Sequence, residues 1–304
     1  MLERTRLHNR ISRSILTFPA CLLMAVLLWW WPQMGYSHDY AVSLVLVITI
    51  ALLLLETGNR NQLYRVQTRM LPSVWLFAAA CIPAFHPFHY ALLGTFFLAV
   101  SYHLLFRTYQ AAEPVGLVFY TFLMLSVGSL FVPHMLFLVP FYVWYLIVFM
   151  RAFSVRVLFA ALMGSLLPFW FWLGWILVQE DTTALLAWHA RLVGINMGGV
   201  GAFLHPAPPM FAFYLMAFLA VWMSVYYMRN SFGDKIQTRM LFYVYIFQSM
   251  LLLVYGILVD AATALPMLLL SVSPLAAHYF ALRSTWLSLI IFFLTLLSFV
   301  VINL

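Results

Sequence analysis

The sequence predicts an all-α fold, a polytopic transmembrane bundle of about eleven spans that forms one integral membrane domain over residues 1–304. Three observations lead to this class. The chain is 66% hydrophobic and only 8% charged, whereas soluble domains carry roughly 25% charged residues. Its apolar runs approach the length of a bilayer crossing, and nearly all its cations lie in alternate links between those runs. A chain this apolar has too few polar groups to cover its surface in water.

The apolar runs define the predicted spans. A hydrocarbon core ~30 Å thick takes about 20 helical residues. The predicted spans are residues 14–31, 41–57, 71–86, 90–106, 114–131, 134–150, 157–178, 208–228, 240–258, 264–281 and 285–303. Several central spans are short, which is typical of tilted helices or helices shielded by neighbours. Trp29-Trp30-Trp31-Pro32 follows the first run where a signal peptide would have small residues, so we expect an uncleaved first span.

The positive charges predict the orientation. With the N-terminus inside, the inner links are the N-terminal arm, 58–70, 107–113, 151–156, 229–239 and 282–284. Fourteen of the fifteen Lys and Arg lie in these links, as the positive-inside rule requires. An error in the number of spans would move all later links to the other side of the membrane and their Lys and Arg with them. The distribution of Lys and Arg therefore also favours eleven spans, with the C-terminus outside. Arg191 is the one cation on the outer side.

The outer side has one long loop, at about 179–207. Asp181 or Thr182 is a candidate helix cap, and Gly194 is a candidate C-cap. The residues Leu185, Trp188 and Leu192 lie three and four positions apart, the spacing of one face of a helix. We therefore predict an amphipathic helix on the outer membrane surface. The glycine-rich stretch 194–201 follows and permits tight turns or close approach to a ligand.

Three segments carry a family resemblance. They are Arg151-Ala152-Phe153-Ser154-Val155-Arg156 with Gly164 and Pro168, Asn59-Arg60-Asn61 with Leu63 and Thr68, and Pro274-Leu275-Ala276-Ala277-His278-Tyr279-Phe280 with Trp286-Leu287. Together they resemble a Bacteroidetes-type family of polytopic inner-membrane proteins of about this length, for which no activity is established. Val155 and Val157 stand where that family has Trp and Glu. The resemblance implies a multi-pass protein of the bacterial inner membrane.

Asp39 is the candidate catalytic residue. It lies in the first outer loop, directly before the second span. The layout is similar to that of C-type glycosyltransferases, which place a catalytic carboxylate in their first outer loop and use outer juxtamembrane helices. It departs from theirs in its short first loop and in lacking a paired Asp-Asp or Asp-x-Asp. The alternative is that Asp39 caps the second span and favours its helix dipole.

The candidate substrate-binding residues surround the same outer face. They are Arg191, His189, Glu180, Asp181 and His38. A guanidinium on this face would bind a lipid phosphate or a pyrophosphate-linked donor by paired hydrogen bonds. The alternatives are an ion pair of Arg191 with Glu180 or Asp181, or a contact with lipid headgroups.

No cofactor and no metal site are predicted. Six of the nine histidines fall on the outer side, but no HExxH or comparable spacing occurs, so a divalent metal has no supporting motif. We interpret His103 and His278, near the inner ends of two spans, as hydrogen-bonded packing residues. Cys21 and Cys81 lie inside apolar runs without a CxxC motif and are interpreted as small buried side chains.

The inner cations predict lipid partners. Arg60, Arg65 and Arg69 form one group, and Arg151 and Arg156 form another. Such groups are typical of orientation and contact with anionic lipids. The alternative is a site for an inner-leaflet phospholipid or polyprenyl phosphate. No basic run with interleaved polar residues indicates nucleic acid.

Three functions follow as hypotheses. The first is a C-type glycosyltransferase-like envelope enzyme at the outer membrane surface, with Asp39 as base and Arg191 holding the phosphate of a polyprenyl-linked sugar. The second is a non-catalytic partner or scaffold of an envelope assembly. The third is a lipid or solute transporter, although few ionisable groups lie near the span centres, which argues against ion coupling.

Overall fold

The fold is known from a computed structural model, which describes residues 9, 11–12, 14–30, 38–66, 68–180, 182–194, 208–283 and 285–303. The chain is about 85% helical, and the described ranges contain no strand. Their helices are α1 Thr17–Trp30, α2 His38–Arg60, α3 Met70–Cys81, α4 Tyr90–Phe106, α5 Val115–Phe131, α6 Leu138–Tyr145, α7 Val155–Gln179, α8 Thr183–Val193, α9 Pro208–Asn230, α10 Ile236–Leu258, α11 Ala261–Leu282 and α12 Trp286–Asn303.

Within the described ranges, six helical segments are long and apolar enough to cross a membrane, and five shorter apolar helices accompany them. The all-helical class is thereby confirmed. Together these segments coincide with the eleven predicted spans, but the crossing of the bilayer by all eleven stays a prediction, as does the orientation of the termini.

Two predicted spans have irregular backbone. The third was expected over 71–86, but α3 ends at Cys81, and a separate 3-10 turn covers Pro83–Phe85. Pro83 has no N–H to continue the helix and restricts the residue before it. The sixth combines a 3-10 turn at Pro133–Phe137, the short α6, and a π turn at Leu146–Met150.

Hydrogen bonds and ring contacts sort the links between helices into two ends of the bundle. One end, called the basic end, comprises the described parts of 9–14, 58–69, 103–113, 150–156, 229–239 and 278–283. Contacts that join its segments include Thr68–Ser12, Thr57–His103, Gln110–Met150, Asn9–Ala281 and Lys235–Gln62. The opposite end is joined by Trp29–Tyr40, Ser43–His86, Tyr90–Phe131, Trp188–Ser129 and Tyr255–His134.

This sorting agrees with the alternation of the charges. Ten of the eleven Lys and Arg that the structure describes lie at the basic end, and Arg191 lies at the opposite end. Every second link lies at the basic end, which requires consecutive helices to run in opposite directions. The fold therefore places the links at alternate ends of the bundle, as the Lys and Arg positions in the sequence predict.

Helix α11 is the centre of the bundle. Nineteen of its twenty-two residues are buried, and α3, α4, α9, α10 and α12 pack around it. Ser271, halfway along α11, shares a hydrogen bond of 3.0 Å with the buried Tyr102 hydroxyl of α4. His278 lies in the last turns of α11, at the basic end.

Helices α5 and α7 approach each other closely at Gly164. A Cβ at Gly164 would lie 2.4 Å from the backbone oxygen of Phe119. Beside it, the Ser126 hydroxyl donates a hydrogen bond of 2.5 Å to the Ser165 carbonyl. Small residues at such crossings let two helix backbones touch within a membrane. This contact gives a structural reason for one glycine of the family-like motif.

Replacing Gly164 by Ala should destabilise the α5–α7 pair, because the added methyl would meet backbone atoms that cannot rotate away. We expect a loss of about 1–3 kcal/mol, as for overpacking in a core. The measurement is thermal unfolding of the purified protein in detergent. Gly174→Ala is the matched control on the same helix, since a Cβ there meets nothing within 4 Å. Equal melting temperatures for the two variants would contradict the close approach.

Candidate functional site

The predicted catalytic residue Asp39 is exposed in the first turn of α2. Its carboxylate makes no hydrogen bond or ion pair with any residue in the described ranges. Its negative charge lies at the N-terminus of the helix, where it interacts favourably with the helix dipole. His38 precedes it and is also exposed. Asp39 is thus available to solvent or headgroups at the opposite end of the bundle.

The predicted binding residues Arg191, His189 and Glu180 are exposed at that same end. Arg191 donates only to the Ala187 carbonyl of its own helix, at 3.4 Å. Glu180 ends α7 in the left-handed region at φ 53°. The expected ion pair of Arg191 with Glu180 is absent from the described residues. Asp181 lies outside them, as does the stretch 195–207.

Helix α8 lies where the amphipathic helix was predicted, at Thr183–Val193. Trp188 is buried and donates a hydrogen bond of 3.0 Å to the Ser129 carbonyl. Gly194 ends the helix, and its N–H donates to Ala190. Thr182 is the N-cap residue of α8, but its side chain makes no capping hydrogen bond, and Asp181, the other candidate cap, lies outside the described residues.

The structure does not join the two parts of this predicted site. Asp39 begins α2, which packs on α3 and α4, whereas α8 packs on the 3-10 turn Pro133–Phe137. The aromatic rings of Phe169 and Trp172 on α7 also contact Trp188. Within the described ranges, no contact connects Asp39 with Arg191.

The side chains that do converge lie at the basic end, around a pocket of about 780 Å³. This volume is within the range of small-molecule sites, ~300–1,000 Å³. We call it the basic pocket. It is lined by Ser14, Ile15, Gly58, Asn59, Gln62, Leu63, Tyr64, Arg65, Val66, Thr68, Arg69, Asp234, Lys235 and Thr238. Its walls are therefore the N-terminal arm, the link from α2 to α3, and the link from α9 to α10.

Asp234 is the most buried charged group of the basic pocket, with 3% of its side chain exposed. Arg65 Nε donates to one carboxylate oxygen at 2.7 Å, and His278 Nε2 lies 3.1 Å from the other. Burial opposes ionisation, but the hydrogen bonds and charges of His278 and Arg65 outweigh it, so the pKa of Asp234 is lowered. Asp234 is therefore a carboxylate that accepts both hydrogen bonds.

His278 lies behind Asp234 in an aromatic enclosure. The rings of Tyr227, Phe242 and Tyr64 have centroids 4.8, 5.0 and 6.3 Å from that of His278. Because Asp234 takes the Nε2 hydrogen, Nδ1 carries no proton in the neutral ring. Nδ1 is buried without a hydrogen-bond partner. The prediction of His278 as a hydrogen-bonded packing residue is confirmed, and the same holds for His103, which bonds to Thr57.

Arg65 is held on one side and open on the other. A Cβ at Gly233 would lie 2.1 Å from Arg65 Nη2 and 2.8 Å from Nη1. The guanidinium thus lies directly on Gly233 while Nε bonds to Asp234. Half of the side chain, 52%, nevertheless remains exposed. This arrangement orients a guanidinium at the wall of the basic pocket with an accessible face.

Two further cations line the basic pocket. Lys235 is exposed and donates to Gln62 Oε1 at 3.2 Å, and Arg69 is exposed at the start of α3. Asp234 is the single acid among the lining residues, and three cations, Arg65, Arg69 and Lys235, stand against it. The pocket is consequently electropositive, which suits a phosphate group.

The local structure explains why the chain forms this wall. Asn61 donates to the Thr57 carbonyl at 2.9 Å and so caps the end of α2. Thr68 donates to the Ser12 carbonyl at 2.6 Å and thereby fastens the N-terminal arm across the pocket. Tyr64 donates to the Pro274 carbonyl of α11 at 3.2 Å. Two of the three segments that carry the family resemblance therefore meet at this site.

Sequence reasoning identified Arg65 and Arg69 as a group of inner cations but missed Asp234, which pairs with Arg65 and with His278. One signal was present, because Asp234 is the only acid within the basic link 229–239. In the described ranges, no three His, Cys, Asp or Glu side chains gather in a way that could hold a metal ion. Comparisons with protein-family models, curated proteins and solved structures found no match to the chain.

Replacing Asp234 by Asn should destabilise the basic end at neutral pH, by about 1–3 kcal/mol for the loss of buried hydrogen-bond partners. The lowered pKa means that the stabilisation is present above the ordinary value of 3.8 and is lost as the pH falls through the folded value. Thermal unfolding measured from pH 7 to pH 3 should therefore show that the wild type loses stability on acidification. Asp234→Asn should lose less stability over the same pH range. Glu113→Gln is the control, because Glu113 pairs with Arg156 at an exposed position. An unchanged acid dependence in Asp234→Asn would contradict this assignment.

Proposed function

We propose that this chain binds the phosphate headgroup of an anionic membrane lipid in the basic pocket and serves in handling that lipid at a bacterial inner membrane. One observation carries the proposal. An oriented guanidinium, two further cations and a volume of about 780 Å³ occur together at one end of an apolar helical bundle. Of the three functions predicted from the sequence, a lipid transporter or lipid-handling partner fits this site best.

The position of the basic pocket suits a lipid headgroup. It lies at the ends of α2, α3, α9 and α10, where an apolar bundle meets the headgroup layer. The positive-inside rule assigns this end to the cytoplasmic side. Anionic lipids are enriched in cytoplasmic leaflets, and each basic side chain near such a surface contributes about 1 kcal/mol of attraction.

The geometry of Arg65 also suits a phosphate. Nε is committed to Asp234, and the Nη atoms lie against Gly233. The side chain is nevertheless 52% exposed, so a ligand meets a cation that has already lost much of its freedom, which reduces the entropic cost of binding. Arg69 and Lys235 supply further donors on neighbouring walls of the pocket.

A second candidate function is the C-type glycosyltransferase-like enzyme at the outer surface. It is supported by the exposed, unpaired carboxylate of Asp39 and by Arg191, the only described cation at the same end. In this proposal Asp39 acts as base, and Arg191, with His189 and Glu180 nearby, holds the phosphate of a polyprenyl-linked sugar.

Lipid binding should be lost when the basic pocket is neutralised. We expect Arg65→Ala combined with Arg69→Ala to weaken retention of dioleoyl phosphatidylglycerol about 100-fold, because charge-assisted hydrogen bonds contribute about 1.5–3 kcal/mol each. Native mass spectrometry of detergent-purified protein, titrated with this lipid and with dioleoyl phosphatidylcholine, measures the loss. Gly233→Ala should weaken binding without removing a charge, since its methyl displaces the Arg65 guanidinium.

The matched control is Arg156→Ala. Arg156 is a basic-end arginine with 77% of its side chain exposed, and it pairs with Glu113 outside the basic pocket. It should retain binding. Equal loss in Arg156→Ala and in the double variant would show that general positive charge attracts the lipid and would overturn the proposal.

The enzyme candidate has its own test. Asp39→Asn and Arg191→Ala should each fail to restore a deletion strain, because one removes the base and the other removes the phosphate contact. Lipid-linked glycans of the complemented strains are profiled for accumulated donor. Glu113→Gln, which neutralises an acid at the basic end, should restore the strain. Full restoration by both Asp39→Asn and Arg191→Ala would exclude the enzyme candidate.

A further inference from the structure

A second cavity lies between helices α1, α3, α9, α11 and α12, with a volume of about 250 Å³. We call it the apolar groove. Its surface is almost entirely apolar and is formed by side chains such as Phe77, Met216, Leu269 and Leu296. A groove of this kind on a membrane-embedded bundle suits a hydrocarbon chain and offers little to a polar ligand.

The apolar groove and the basic pocket share two chain segments as walls. Ser14 lines the basic pocket, and Ile11 and Thr17 on either side of it line the apolar groove. Arg69 lines the basic pocket, and the next residue, Met70, lines the apolar groove. The boundary between polar and apolar walls therefore falls between adjacent residues at the start of α3. One ligand with a phosphate and a hydrocarbon chain can contact both.

We propose that the apolar groove holds one hydrocarbon chain of the same anionic lipid whose phosphate occupies the basic pocket. This inference rests on the proposed function and names its substrate class, a phosphate-bearing lipid that is recognised by its chain as well as its headgroup. The groove volume of about 250 Å³ accommodates part of a single chain. The remainder of the lipid stays in the surrounding bilayer, so the ligand is taken up sideways from the membrane.

The charge arrangement supports this occupant over a second protein helix. An apolar peptide would fill the groove but would leave the adjacent basic pocket, with Arg69 and Lys235 in its wall, without an anionic ligand. A phosphate-bearing lipid satisfies both surfaces at once. Threonine and serine side chains in the groove do not contradict this, because Thr17 and Ser73 bond to backbone carbonyls of their own segments.

The test compares two neighbouring leucines of α12. Leu296 lines the apolar groove and is partly buried, whereas Leu297 is 59% exposed on the outer surface. Leu296→Trp fills the groove and should weaken binding of dioleoyl phosphatidylglycerol about tenfold, since apolar contact with the chain is lost. Leu297→Trp makes the same chemical change outside the groove and should bind like the wild type. Native mass spectrometry with dioleoyl and dihexanoyl phosphatidylglycerol gives both affinities.

Chain-length dependence separates this inference from the proposed function. The wild type should prefer the dioleoyl lipid, and Leu296→Trp should lose that preference. Equal affinity for both chain lengths, together with continued loss in the Arg65→Ala and Arg69→Ala double variant, would overturn the chain site and leave the headgroup site standing. Absence of binding for either lipid to the wild type would overturn both.

The native thiol of Cys21 provides a readout that needs no variant. Cys21 lines the apolar groove and is partly exposed, whereas Cys81 is buried. Bound dioleoyl phosphatidylglycerol should slow alkylation of Cys21 by N-ethylmaleimide several-fold, and dihexanoyl phosphatidylglycerol should not. An unchanged rate of Cys21 alkylation, measured with the long-chain lipid bound, would overturn the inference even if Leu296→Trp does not fold.

Discussion

The ionised carboxylate of Asp234, held between Arg65 and His278, is the interaction on which the basic end depends. It joins the link between α2 and α3, the link between α9 and α10, and the central helix α11. An ionised group that is buried without partners costs several kcal/mol, so these three segments stay together while Asp234 is charged. The same contact sets the position of Arg65, whose guanidinium lies against Gly233.

The proposed lipid site follows from this arrangement. Asp234 uses the Nε donor of Arg65, and half of the Arg65 side chain remains exposed at the wall of the basic pocket. The carboxylate therefore orients the cation without filling the pocket, and Arg69 and Lys235 add charge around it. Since the apolar groove begins where the basic pocket ends, the bundle offers adjacent surfaces for the two chemical parts of a phospholipid.

Composition and apolar patterning were sufficient for the helical class and for most helix positions, as with α4, which was predicted at 90–106 and lies at Tyr90–Phe106. Hydropathy does not register backbone breaks, so α3 was predicted too long past Pro83. The pairing of Arg65 with Asp234 joins residues 169 positions apart, and no local pattern encodes such a contact. Arg191 is an exception to the positive-inside rule, and the prediction of an outer site relied on that exception. The rule concerns orientation in the membrane and carries no information on which side chains converge.

Electron cryo-microscopy of the protein in nanodiscs that contain phosphatidylglycerol would show directly whether a lipid occupies the basic pocket. We expect phosphate density within hydrogen-bond distance of Arg65 and of Arg69, with Arg65 Nε still on Asp234 and one lipid chain leading into the apolar groove. An empty pocket, or an Arg65 side chain turned away from Asp234 to meet lipid elsewhere, would contradict the proposed lipid site.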